Sequence, residues 1–322
     1  MISSINTVLI RSTNQSEKQV TAGSPTNDSG SSVTGVAVSD KLSASVTDTV
    51  SLSPETANAI TSGTNMPING FNKYFPVRAG FTSTALSNAV TQPGIQTSSS
   101  GKNFNEVALD ARVRMDAKYA AMSASGKPYD SSSWEGVDSA ALMGELDRRS
   151  LYAVSSNTGG LFTQDEQSTA QSYMNQQQGM AMGLGGGPIR LAGEFDAAYG
   201  KTPTLTGDYA SVGKAGVLFL DKVSNEEKSS VLWAMNRAGS QEAYESGMEL
   251  MGRTPENIDS DIPLVKLIRA AMATMQNDPG RGITTGSITN AAGLKNQEWF
   301  KGFESQLDVA LMETKTFLMD RH

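Results

Sequence analysis

Hydrophobic residues follow two different patterns along the chain, and the change falls near residue 104. After that point apolar side chains recur at spacings of three and four, which is the period of an α-helix that buries one face. The first such stripe consists of Ala108, Ala111, Met115, Tyr119 and Met122. No later stretch shows the alternation typical of a β-strand, so the sequence predicts an all-α fold, an irregular multi-helix domain of about eight helices over residues 104–322.

Residues 1–103 form the second pattern. From Ser12 to about Lys102 serine, threonine, glycine and asparagine dominate, and apolar residues come singly or in short groups. Such a stretch buries too little apolar surface to offset the entropy lost on ordering, so a long disordered N-terminal leader is predicted. Aromatic residues concentrate in its segment 72–81. This segment is expected to dock on the folded domain, to serve as a short recognition peptide, or to be locally sticky coil.

Helix-capping signals divide the later region. Ser or Thr followed three residues later by Glu, the capping-box pattern, occurs at Thr163 and again at Ser224 and predicts a helix start at each. The glycine-rich stretch 179–188 predicts a flexible connection where the domain could divide, because five glycines in ten positions are costly in a regular element. Together the signals predict helices at about 105–122, 138–158, 163–178, 212–223, 224–238, 240–251, 261–275 and 296–319.

Composition removes whole classes of chemistry. The chain has no cysteine, and its one histidine is the terminal residue His322. Disulfides, zinc–thiolate sites and catalytic triads that need an imidazole base are therefore excluded. The net charge of -7 gives no basic footprint for nucleic acid.

No apolar run approaches the length that crosses a bilayer, so membrane insertion is not expected. The N-terminal apolar stretch Val8–Ile10 is also too short for the core of a Sec signal peptide. The sequence therefore predicts a protein that is cytoplasmic or exported without a Sec signal.

One loop resembles the calcium loop of EF-hands. The twelve residues 155–166 read SSNTGGLFTQDE, with Gly160 at the sixth position, which requires a sharp turn, and Glu166 at the twelfth, where that family supplies a bidentate carboxylate. Segments with helical periodicity flank the loop, so the resemblance covers about residues 142–178. It implies a calcium site whose ligands are Ser155, Asn157, the carbonyl of Leu161, Thr163 and Glu166.

The same loop departs from the EF-hand pattern. Its first and fifth positions are Ser155 and Gly159, which leaves Glu166 as the one carboxylate among the ligand positions. Because calcium affinity depends on charged ligands, weak binding or none is expected. Three alternatives stay open: a Gly-Gly turn followed by a capping box with no ion, an EF-hand-like turn that no longer binds metal, and a working calcium site.

A second resemblance lies in the leader. Residues 48–57, DTVSLSPETA, are similar to a short stretch near the start of bacterial flagellar anti-sigma factors. The resemblance implies a bacterial protein in a flagellar or export setting. The alternative is a simple helix start, with Ser53 as the cap and Pro54 at the first helical position.

The missing catalytic residue types favour a non-catalytic interaction or regulatory protein whose partner is another protein. Methionines suit adaptable binding surfaces, and nine in the predicted helices point the same way: Met115, Met122, Met143, Met174, Met235, Met272, Met275, Met312 and Met319. The alternatives are a cell-wall glycan hydrolase, which needs only carboxylates, and a weak calcium sensor. The acidic residues that could serve a hydrolase are Glu145, Asp147, Glu194, Asp196 and Glu298.

Overall fold

Helices make up the regular structure of residues 70–201, 207–277 and 288–320, which are the residues that the computed structural model describes. No β-strand occurs in these ranges, so the all-α class is confirmed. Twelve α-helices lie in them, so the predicted number of about eight is too low. In chain order they are α1 (Thr84–Thr91), α2 (Phe104–Ala124), α3 (Val137–Met143), α4 (Arg148–Ser155), α5 (Gln164–Met182), α6 (Ala192–Ala198), α7 (Asp208–Leu220), α8 (Asn225–Lys228), α9 (Val231–Leu250), α10 (Pro263–Asn277), α11 (Ala291–Lys295) and α12 (Glu304–Met319).

Several predicted helices have different limits in the structure, and three of the differences lie at residues that cap or end a helix. The predicted second helix is broken after Met143, because Asp147 caps a new helix, α4, with its side chain. The predicted last helix is interrupted at Gly302, whose φ of 94° lies in the left-handed region that ends helices. The glycine-rich stretch was predicted to be a connection from residue 179, but α5 continues to Met182 and ends at the left-handed Gly183.

A predicted helix break near Ser240 is wrong, because the small residues there serve packing. After the one-turn helix α8, Ser230 caps α9, which runs without interruption to Leu250. The backbones of α7 and α9 approach so closely that a Cβ atom at Gly213 would lie 2.6 Å from the Ser240 carbonyl oxygen. Small residues at this crossing let the two helices touch.

Residues 70–103 belong to the packed structure, so the leader predicted for 1–103 extends too far. Phe71, Tyr74 and Phe75 are buried, and α1 buries Leu86 and Val90 in the same apolar cluster. Of the three expectations for the aromatic segment, docking on the domain is the one that the structure confirms. The rest of the predicted leader, residues 1–69, lies outside the described residues, as does the anti-sigma-like stretch.

Within the part of the chain that the structure describes, the apolar core consists of two clusters. The first contains buried residues from Phe71 to Phe195, and the second contains residues from Phe219 to Leu318. The side chains of Arg148 and Glu227 join α4 to α8, that is, one cluster to the other. A division of the domain at 179–188 stays a prediction. Among the helices of the described ranges, none combines the length and the apolar character needed to cross a membrane.

Candidate functional site

The EF-hand-like loop is a tight turn closed by hydrogen bonds between its own side chains and nearby backbone groups. Asn157 and Gly159 have left-handed φ angles of 51° and 75°, and the Asn157 side-chain oxygen accepts a hydrogen bond from the Phe162 amide at 3.0 Å. The Ser155 hydroxyl donates to the Tyr152 carbonyl oxygen within α4. Leu161 packs partly buried against the first apolar cluster. Local contacts therefore hold these predicted ligand positions.

The remaining two positions, Thr163 and Glu166, form the predicted capping box at the start of α5. The Glu166 carboxylate also accepts hydrogen bonds from the Arg112 guanidinium at 2.8 and 3.0 Å and from the Tyr119 hydroxyl at 3.1 Å. Burial alone would raise the pKa of Glu166, but the Thr163 amide and the Arg112 charge outweigh it and hold that pKa below its ordinary value. An ion at this position would have to displace Arg112.

No group of three acidic or histidine side chains placed to hold a metal occurs in the described ranges. Calcium binding at the loop stays a prediction, with Ser155, Asn157, Leu161, Thr163 and Glu166 as its ligands. The contacts of Glu166 favour the alternative of a Gly-Gly turn followed by a capping box with no ion, and they also tie α2 to the start of α5.

Replacement of Glu166 by glutamine tests this assignment. Glu166→Gln is expected to lower the free energy of unfolding at pH 7 by about 1 to 3 kcal/mol, because it removes the charge that pairs with Arg112. The carboxylate has a lowered pKa in the folded state, so its stabilisation is present above the unfolded pKa of about 4.3 and is lost as the pH falls through the folded value. The difference between the two proteins in urea denaturation should therefore shrink in acid.

The same pair of proteins tests the calcium alternative. Millimolar calcium is expected to leave the Tm of the wild type unchanged, because Arg112 occupies the carboxylate. A calcium-dependent rise in Tm that Glu166→Gln abolishes would contradict this expectation and support the calcium sensor.

Most of the carboxylates considered for a hydrolase have structural partners. Asp147 is buried, and its oxygens accept hydrogen bonds from the amides of Thr97, Ser99 and Ser150. Ion pairs join three others to lysines, namely Glu145 to Lys118, Glu194 to Lys73 and Glu298 to Lys301. Asp196 lies exposed on α6. The hydrolase alternative stays a prediction; the buried Asp147 has a structural role, and three of the other acids have lysine partners.

Methionine burial weakens the composition argument for a binding surface. Of the methionines on which that argument rested, five are buried in the two clusters, namely Met115, Met122, Met143, Met174 and Met235. Met272 and Met275 are partly buried against the second cluster. Met312 and Met319 on α12 are exposed. Core packing therefore accounts for most of the set.

Among the described residues, the two most exposed large apolar side chains lie on two neighbouring turns. Trp134 is 79% exposed and Ile189 is 82% exposed. The residues that follow them, Glu135 and Arg190, form an ion pair at 2.7 Å, which holds the two turns together. We call residues 130–138 the Trp134 turn.

Hydrogen bonds around a buried carboxylate fix the Trp134 turn. Asp138 binds the Arg78 guanidinium and accepts the Asp130 amide at 2.9 Å. Arg78 also donates to the carbonyl oxygens of Lys127 and Pro128. At the start of the turn, the hydroxyl and the amide of Ser132 both donate to Asp130 and lower the pKa of its carboxyl. The loop before α3 is therefore a constrained structure.

The backbone beside Trp134 is strained. Glu135 has φ 54° and ψ 20°, and Gly136 follows with φ 68°, so two successive residues adopt the left-handed conformation. A non-glycine residue reaches this region only at a cost, and it stays there when its surroundings hold it. Here Arg190 holds the Glu135 side chain, and the Tyr173 hydroxyl donates to the Gly136 carbonyl oxygen at 3.3 Å.

An aromatic cluster supports the turn that carries Ile189. Phe195 meets Tyr74 edge to face at 5.3 Å between ring centroids, and Tyr199 lies 5.0 Å from Phe71. The ion pair between Lys73 and Glu194 adds a second link between the aromatic segment and α6. The docked segment 71–81 thus contacts the structure on both sides: its aromatic residues pack on α6, next to the turn that carries Ile189, and its Arg78 binds Asp138 in the Trp134 turn.

Sequence patterns did not identify this surface. Trp134 lies between the predicted helices 105–122 and 138–158, in a stretch without helical periodicity, and residues that fix it, such as Arg78 and Arg190, come from segments far along the chain. The run Asp130-Ser-Ser-Ser133 was the available signal, because short polar side chains of this kind close turns by binding nearby amides.

The arrangement suits the binding of another protein. Tryptophan is enriched among the residues that dominate binding energy at interfaces, and a rigid setting lowers the entropy that binding costs. No family model, no curated protein and no solved structure matches this chain.

Proposed function

We propose that the chain is a non-catalytic interaction protein whose all-α domain binds a partner protein through the Trp134 turn and the adjoining Ile189. The observation that carries this proposal is the 79% exposure of Trp134 on a turn that buried and bridging contacts hold in place. Tryptophan is among the residues that most often dominate the binding energy of protein interfaces, and a fixed turn presents this one without further ordering.

Burial of the Trp134 side chain alone would supply a large part of the free energy of binding. A tryptophan side chain of roughly 200 Å² would release about 4 kcal/mol on burial, before the costs of association are subtracted. The turn is already fixed by Asp138 and the left-handed Glu135, so little of that energy is lost in ordering the backbone. The partner is expected to offer an apolar pocket for the indole ring.

The resemblance in residues 48–57 suggests the cellular context of the proposed binding. The similarity of residues 48–57 to flagellar anti-sigma factors favours a bacterial protein associated with the flagellum or with export. Missing thiol and imidazole groups favour binding over catalysis, since the chain has no cysteine and its histidine is the last residue.

Affinity capture with the full-length chain tests the proposal. Trp134→Ala is expected to reduce capture of a stoichiometric partner at least 10-fold, because loss of a central aromatic anchor costs about 2 kcal/mol or more. Leu218→Ala is the matched control, since Leu218 is also an exposed apolar side chain but lies on α7. It should capture the partner as the wild type does.

Two results would contradict the proposal. One is recovery of the same partner in the same amount with the wild type and Trp134→Ala, while both proteins have the same Tm. The other is cleavage of peptidoglycan by the purified wild type, which would support the hydrolase.

A further inference from the structure

Helix α12 is apolar on two opposite faces. Its inner face buries Leu307, Ala310, Thr314 and Leu318 against the second cluster. The Thr314 hydroxyl accepts the Leu264 amide at 3.0 Å, and the Asn225 side chain donates to the Leu318 carbonyl oxygen at 2.9 Å, so the orientation of the helix is fixed. Its outer face carries exposed Val309, Met312, Thr316 and Met319.

The outer face has the spacing of a helix-pairing seam. Val309, Met312, Thr316 and Met319 follow one another at intervals of three, four and three residues, as the a and d positions of a heptad repeat do. At 100° per residue this stripe lies opposite the buried one. Met312 is 63% exposed and Met319 is 67% exposed, so packing within the described chain does not use them.

Charged residues beside the exposed stripe of α12 favour an antiparallel second copy of the same helix as its partner. Asp308 and Lys315 lie on one flank of the stripe, seven residues apart, and Glu313 lies on the other flank. If two copies of α12 lie antiparallel about an axis at Met312, Asp308 of each copy meets Lys315 of the other, so the favourable pair forms twice. A parallel arrangement would bring Asp308 next to Glu313, which is a like-charge pair.

We propose that α12 forms a two-fold antiparallel dimer with a second copy of this chain. Val309 of each copy packs against Thr316 of the other, and the two Met312 side chains meet at the axis. Such an interface is self-complementary, as two-fold symmetry requires. The seam is short, and the two Glu313 carboxylates approach each other near the axis, so the association is weak and depends on concentration. This surface is separate in sequence from the Trp134 turn and independent of the proposed function.

Sedimentation equilibrium of the full-length chain tests the dimer through a charge swap. Asp308→Lys alone and Lys315→Asp alone each place like charges together at both ends of the seam, and each is expected to weaken association at least 5-fold. The double variant Asp308→Lys/Lys315→Asp restores opposite charges and should recover wild-type association. Loss of the exposed ion pair between Asp308 and Lys295 affects all variants of Asp308 equally, so it cannot produce the recovery.

Controls separate this pattern from general effects of charge. Glu249→Lys changes the net charge as much as Asp308→Lys does, on an exposed position of α9, and should leave association unchanged. Met312→Glu should abolish the dimer without lowering Tm, because the side chain is exposed. Trp134→Ala should have no effect.

Two results would overturn the proposal. One is a wild type that remains monomeric at about 1 mM, where a dissociation constant of that size already gives substantial dimer. The other is a double charge swap that associates no better than the single variants do.

Discussion

Gly144→Ala is expected to lower the free energy of unfolding by at least about 3 kcal/mol and to displace α1 from the domain. The φ of Gly144, -62°, is available to every residue, so backbone conformation does not require glycine here. Glycine is required because no room exists for a side chain. A Cβ atom here would lie 1.9 Å from the carbonyl oxygen of Thr82 and 2.6 Å from that of Ala140. Both are backbone atoms in packed segments, so neither can move without a shift of the chain.

The expected loss of stability in Gly144→Ala should be accompanied by a local effect on α1. The Gly144 carbonyl oxygen accepts the Ala85 amide at 3.1 Å, which ties the first turn of α1 to the end of α3. Urea denaturation measures the total effect, and amide hydrogen exchange over residues 84–91 should show faster exchange in Gly144→Ala. Gly193→Ala, at a helical glycine with open space around its Cβ position, is the matched control and should change stability by less than about 1 kcal/mol.

A Gly144→Ala protein as stable as the wild type, with α1 still protected, would contradict the position of this helix. It would also remove the support for the claim that residues 70–103 belong to the folded domain.

The second large effect is expected at the ion pair that links the two apolar clusters. Arg148 is 3% exposed and donates two hydrogen bonds to Glu227, at 2.7 and 3.0 Å. Its remaining nitrogen donates to the Met174 carbonyl oxygen and to Gln177, and its guanidinium lies 4.8 Å from the centre of the Phe219 ring. All of these contacts are buried, so water cannot replace a lost partner.

Removal of both charges should therefore cost less than the two single removals added together. Glu227→Gln and Arg148→Met are each expected to lower the free energy of unfolding by about 3 to 5 kcal/mol, because each leaves a buried charge without its counter-charge. The double variant Arg148→Met/Glu227→Gln should lose less than the sum of the two. Urea denaturation of the four proteins gives the coupling energy directly.

An exposed pair provides the control for this cycle. Lys266 and Asp261 lie 3.4 Å apart with both side chains mostly exposed, so Lys266→Met should change stability by less than about 1 kcal/mol. If the losses at Arg148 and Glu227 were equally small or strictly additive, the pair would not hold the two clusters together as described.

Local sequence signals identified the elements that local contacts stabilise. The helix predicted near 105–122 agrees with α2, where Asn103 forms a capping box with Glu106. The box predicted at Thr163 is complete, whereas at Ser224 the hydroxyl accepts the Glu227 amide and the Glu227 carboxylate binds Arg148 instead. In each case the cap and its partner lie within four residues, so the pattern contains the physical cause.

The docked segment could not be predicted in this way. Its aromatic residues follow no helical or strand period, and contacts with residues far along the chain satisfy its backbone. Gln176 donates to the Tyr74 carbonyl oxygen, and Gln177 donates to that of Leu86 in the adjoining α1. The Trp134 turn depends on this segment through Arg78. Contacts between residues so far apart in sequence leave no mark in local periodicity.

Acrylamide quenching of tryptophan fluorescence tests the central claim, that Trp134 is presented to a partner. Of the three tryptophans, Trp233 and Trp299 are each 2% exposed, so nearly all quenching should come from Trp134. Trp134→Phe should remove it, and the captured partner, added to the wild type, should protect the fluorescence from acrylamide. Quenching that Trp134→Phe leaves unchanged, or that the partner leaves unchanged, would contradict the account.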